Sequence, residues 1–203
     1  MDVVLILGVV SGLTIVVAIA LVVVDDHRLA LVFYLLEYLC VGGLLYIGGF
    51  PAAAWTRWGL AVAAAPIVWL TVVRLGRDVL PYAAGLRGGR WFRLSAALLV
   101  AVGGMGFSSS LSGIFPGLTP AHARAASALF TLGLLQLGLS EDPLRWIFAL
   151  TTCLLGFEVV YAIIEPSLAI QAILASIHLG ILVVGTDIAV RRAAPQNPDD
   201  LPA

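Results

Sequence analysis

Three residues able to hold or pass a proton stand where a membrane segment normally keeps only hydrocarbon. Glu37, Glu158 and His178 each fall deep inside a long apolar run. Glu37 lies nine residues after Arg28. On a helix rising ~1.5 Å per residue it sits roughly 13 Å along, near the middle of a bilayer. Glu158 is expected at a comparable depth in its own run, and His178, twelve residues past Pro166, again falls near the middle. An acidic residue at the centre of a membrane helix costs about 2.5 to 3.5 kcal/mol on insertion scales, so such groups face a protein interior or a wet cavity. Two kinds of chemistry fit. Carboxyl and imidazole groups held at one depth form a polar seam that hands protons from one group to the next. A neutral glutamate bonded to a hydroxyl or a carbonyl instead fastens two helices together.

The elements that must position these groups follow from composition. Of 203 residues 61% are hydrophobic and 11% charged, whereas a globular domain is about a quarter charged. Such a chain cannot cover its apolar surface alone, and roughly 20 apolar residues are enough for one helix to cross the hydrocarbon. Spans are expected at 2–24, 29–49, 55–76, 94–114, 122–139, 146–164 and 166–190. The expected architecture is an all-α transmembrane bundle of about seven spans, a single domain over 1–192, with a polar, proline-rich and disordered tail over 193–203. The first run is longer than a signal-peptide core and lacks a basic leader, so it reads as a true span.

All eleven basic residues are arginine, and their distribution sets a direction. With the N-terminus outside and the C-terminus inside, Arg28, Arg74, Arg77, Arg87, Arg90, Arg93, Arg145, Arg191 and Arg192 fall on the cytoplasmic side. Only Arg57 and Arg124 remain outside, where their heads are expected to snorkel to water. Arg74, Arg77, Arg87, Arg90 and Arg93 crowd the one long polar connection. They either set topology alone or also contact an acidic partner or anionic lipid, at about 1 kcal/mol each.

The second and sixth spans both follow an acidic pair and an arginine: Asp25-Asp26 and Arg28 before Glu37, Glu141-Asp142 and Arg145 before Glu158. The pattern reads as a parallel internal repeat. Glu165 and Asp187, near span ends, are expected to be solvated. Ser108-Ser109-Ser110-Leu111-Ser112 either lines a wet pocket or, like Gly103-Gly104 and Gly106, lets helices approach closely. Trp55, Trp58, Trp91 and Trp146 read as an interfacial belt. Cys40 and Cys153 lie apart inside spans and read as small core residues. No phosphate loop, nucleotide fingerprint, haem-type histidine arrangement or serine nucleophile motif occurs. The chain reads as non-enzymatic, with no cofactor or metal of its own and no nucleic-acid partner.

The segment Arg28-Leu29-Ala30-Leu31-Val32-Phe33-Tyr34-Leu35-Leu36-Glu37 resembles the second helix of the hydrogenase-4 membrane component E family, with its R-L-x-x-x-F-Y pattern followed by a polar residue. Leu154-Leu155-Gly156-Phe157-Glu158-Val159-Val160 is similar to the L-x-G-L-E-I-M stretch around the membrane glutamate of the related complex I subunit K family. Before that glutamate helix the subunit K pattern has a basic pair and an asparagine, where this chain has Asp142-Pro143-Leu144-Arg145. The resemblance implies a non-catalytic subunit of an ion-translocating membrane complex in the bacterial cytoplasmic membrane, beside antiporter-like and redox subunits that hold the redox cofactors. It implies a proton-path role for Glu158 and Glu37, while His178 joins them on depth alone. A scaffolding subunit with no transport role and a small stand-alone secondary transporter are the alternatives.

Overall fold

A computed structural model describes residues 2–79 and 89–193, with side chains described for 2–74 and 89–192. Arg87, the Arg77 side chain and the tail from 194 lie outside the described residues. The described residues form seven helices: α1 (Val3–Val23), α2 (His27–Ile47), α3 (Pro51–Val79), α4 (Arg90–Ile114), α5 (Pro120–Leu139), α6 (Pro143–Ile164) and α7 (Leu168–Ala193).

Local chemistry explains where they start. The Asp26 carboxylate accepts the Arg28 backbone N–H at 2.8 Å, and Asp142 accepts that of Leu144 at 3.1 Å, so both members of the expected repeat begin on an aspartate cap. Pro51, Pro120 and Pro143 occupy first helical positions, where a missing N–H costs nothing. Gly49 and Gly117 take φ of 92° and 93° in the turns before α3 and α5, a backbone region that a Cβ penalises.

Among the described residues six helices are long and apolar enough to cross a membrane: α1, α2, α3 through Arg74, α4, α6 and α7 through Arg192. The expected seventh, α5, falls short because His122, Arg124 and Gln136 interrupt its apolar run. It is nevertheless enclosed, packed against α1, α4 and α6. His122 and Gln136 are buried with it.

Contacts at one end of the bundle bring together the starts of α2, α4 and α6 and the end of α7. Arg93 pairs with Asp25 at 2.5 Å, His27 Nε2 lies 2.5 Å from Asp142, and Arg145 donates to the Asp25 carbonyl at 2.7 Å. Arg192 donates to the Glu141 carbonyl at 3.3 Å and lies over the Trp146 ring. We call this the capped end, and the opposite one the far end.

The tightest helix pair is α5 with α6, where glycines interlock. A Cβ on Gly133 would fall 2.6 Å from the Cys153 nitrogen, and one on Gly156 the same 2.6 Å from the Phe130 nitrogen. Backbones touch there, as in close membrane helix pairs. The serine run of α4 has another outcome: Ser108, Ser109 and Ser112 donate to carbonyls of their own helix. Cys40 and Cys153 are free thiols, half-buried rather than at the core. Trp91 is exposed, while the half-buried Trp58 indole lies against α2 and donates to the Leu39 carbonyl at 3.3 Å.

Candidate functional site: a buried polar seam between α2, α3, α6 and α7

Glu158 is the hub of the seam. Its Oε2 lies 2.8 Å from Arg57 Nη1, and its Oε1 3.5 Å from His178 Nδ1. All three side chains are shut off from the bundle surface. The second guanidinium nitrogen, Arg57 Nη2, donates to Gln171 Oε1 at 2.7 Å, and the Gln171 amide in turn donates to the Glu165 carbonyl at 3.4 Å. Glu165 is exposed at the end of α6. The polar groups therefore reach from the interior to the far end of the bundle.

From His178 the seam continues inward through aromatic groups. The Tyr38 ring meets the imidazole edge-on at 5.7 Å, and the Tyr34 hydroxyl donates to that of Tyr38 at 3.0 Å. Glu37, the neighbour of Tyr38 on α2, accepts a bond from the Thr152 hydroxyl of α6 at 2.8 Å through Oε2. Its Oε1 and both His178 nitrogens make no hydrogen bond among the described residues. Towards the capped end the row stops. Tyr34 packs on Phe148, and one turn nearer that end come buried Leu31 on α2 and Leu144 on α6.

Two expectations are corrected here. Glu37 and Glu158 do not share a depth: Glu37 is level with Thr152, which precedes Glu158 by six residues, or about 9 Å of helix. The seam slants from the bundle centre towards the far end. Arg57 does not snorkel: α3 begins at Pro51 and not near 55, which sets Arg57 six residues inside the helix, and its side chain faces inward onto Glu158 and Gln171. A cation inside a membrane helix needs a partner more than a route to water. Arg93 also faces inward to Asp25, whereas Arg74 and Arg90 are exposed. Asp187 pairs on the surface with Arg191 at 2.7 Å.

The structure thus brings Glu158 and His178 together and sets Glu37 beside them on α2, next in sequence to Tyr38 and bonded to Thr152, while Arg57, Gln171, Tyr34 and Thr152 complete the seam without having been expected there. Arg57 was readable, as the cation that a buried acid requires. The others look like ordinary residues of an apolar run. Among the described residues no cluster of three or more histidine, cysteine or carboxylate side chains could hold a metal.

The seam is chemically a set of proton donors and acceptors with a single permanent cation, held inside an all-helical integral membrane protein. Compared with known proteins, the chain matches no family model, no curated protein and no solved structure.

Proposed function

We propose that this chain is a non-catalytic subunit of a multi-subunit, ion-translocating respiratory or hydrogenase-like complex in a bacterial cytoplasmic membrane, and that its buried glutamates form part of a proton or sodium path. It crosses the bilayer seven times, with the N-terminus outside and α5 carried through by its neighbours. The capped end, where most of the arginines lie, then faces the cytoplasm. Antiporter-like and redox subunits would stand beside it and hold any redox cofactor.

One observation carries this reading: Glu158 is bracketed by Arg57 and His178 in a row of polar groups that reaches the far end and stops short of the capped end. The seam holds two carboxyl groups and one guanidinium, which pairs with Glu158 and not with Glu37, so it is electrically neutral with one proton aboard. A row open on one side only is half of a path. The other half would come from a partner subunit or from a rearrangement around Phe148.

The test is to place Glu37→Gln and Glu158→Gln in the assembled complex and measure ion pumping at equal subunit content. Loss of pumping with assembly intact supports the proposal, and unchanged pumping refutes it.

The Arg57 contacts also favour a second reading. One guanidinium ties α3 to α6 through Glu158 and to α7 through Gln171, as a scaffolding subunit would use it. On that reading the same variants lose assembly and not pumping.

A further inference from the structure

On the flank of α6 turned away from Glu158, a groove of about 370 Å³ lies between α4, α5 and α6. Gly103 and Phe107 form one wall. Phe157 and Tyr161, stacked with ring centroids 5.4 Å apart, form the other, and Ser127 and Phe130 make the floor. The lining is almost wholly apolar, and the Ser127 hydroxyl donates to the Ala123 carbonyl at 2.7 Å.

The groove is built into the packing. A Cβ on Gly104 would fall 2.5 Å from Thr131 Oγ1 and one on Gly156 2.6 Å from the Phe130 nitrogen, so both walls sit as close to α5 as backbone allows. Gly103 is different, since nothing lies within 4 Å of a Cβ there. Along α6 the lining runs from Gly156 to Ile164, about 12 Å of helix against a hydrocarbon core of roughly 30 Å. It occupies most of one leaflet and ends at the far end of the bundle.

A positive charge stands at that end. Arg124 is exposed near the start of α5, three and seven residues before Ser127 and Thr131, which places it on the helix face that floors the groove. Among the described residues it makes no ion pair.

We propose that this groove is a phospholipid site, with one acyl chain along Phe107, Phe130 and Phe157 and an anionic headgroup on Arg124. The dimensions suit an acyl chain. An apolar cavity of roughly 150 Å³ takes up benzene, and the groove has more than twice that volume. Charge selects the headgroup, because a lipid of net negative charge supplies the partner that Arg124 lacks, whereas the choline of a zwitterionic lipid offsets its own phosphate. The site does not depend on the reading of the seam.

The test is native mass spectrometry of the full chain, delipidated in mild detergent and titrated with phosphatidylglycerol or with phosphatidylcholine of the same acyl chains. One molecule should be retained, with the anionic lipid preferred. Arg124→Gln should lower phosphatidylglycerol retention about fivefold, the factor one arginine contributes near anionic lipid, and leave phosphatidylcholine unchanged. Gly103→Leu, which fills the groove where space is open, should lower retention of both. Equal retention by all three proteins, or no headgroup preference, overturns the proposal. So does a Gly103→Leu variant that loses a co-purifying membrane chain while keeping its lipid, because the groove would then seat a helix.

Discussion

Arg57 Nη1 and Glu158 Oε2 meet at 2.8 Å inside the bundle, with neither side chain reaching the surface. Removing two charges from water costs several kcal/mol per ion, and their attraction offsets this only when further polar groups complete the geometry. Gln171 does so for the arginine and His178 stands beside the glutamate. The pair joins a helix from the first half of the chain to one from the second.

Breaking one side of this pair should therefore cost more than deleting it. Arg57→Leu leaves Glu158 without its cation and is expected to destabilise the protein by about 3–5 kcal/mol, whereas Arg57→Leu with Glu158→Leu should recover most of that loss. Thermal unfolding of the three proteins in one detergent checks it. A double variant no more stable than the single one would count against the pairing.

At Glu37 the two functions of a carboxyl group separate. Glu37→Gln keeps an oxygen for the Thr152 hydroxyl and should barely change the melting temperature, while Thr152→Val removes the bond and should cost about 1 kcal/mol. If Glu37 carries protons, pumping by the assembled complex falls in the first variant and survives in the second. Ion flux at matched subunit content, read beside the melting curves, distinguishes the cases.

Helix packing offers a test independent of charge. Gly133→Ala and Gly156→Ala each drive a methyl group into the opposing backbone of the α5–α6 pair and should cost about 1–3 kcal/mol. Gly12→Ala on α1 meets nothing within 4 Å and should be close to neutral. Equal melting temperatures across the set would mean that α5 and α6 do not touch in this way.

The two aspartate caps differ in a useful manner. Asp26→Ala loses a helix cap, worth about 1 kcal/mol. Asp142→Ala loses the equivalent cap and also the contact with His27 at 2.5 Å. The second should be the more destabilising by about a further 1 kcal/mol, and a chemical unfolding series would show the two variants equally destabilised if His27 contributes nothing.

Much of the helical framework was legible because membrane-length apolar runs are a strong signal and because Asp-Pro and Gly-Phe-Pro punctuation marks where runs break. Boundaries were less so: α3 begins four residues earlier than its apolar run, and that difference moves Arg57 from the surface to the centre of the site. Spacing along a helix conveys depth from a known end, but not which way a side chain turns, so Glu158 and His178 were found together while Glu37 was set at the wrong level. Tyr34, Tyr38 and Gln171 escaped notice because phenols and amides carry no charge and pass for members of an apolar run. α5 is the opposite case, a helix whose hydropathy is lowered in part by His122 and Gln136, which point into the protein and not towards lipid.

The most direct test of the central claim is proton or sodium translocation by the assembled complex carrying Glu158→Gln, at the wild-type amount of this subunit. Translocation should be lost while the redox or partner activity and the subunit composition persist. Wild-type translocation in that variant would show that Glu158 holds helices together and carries no ion.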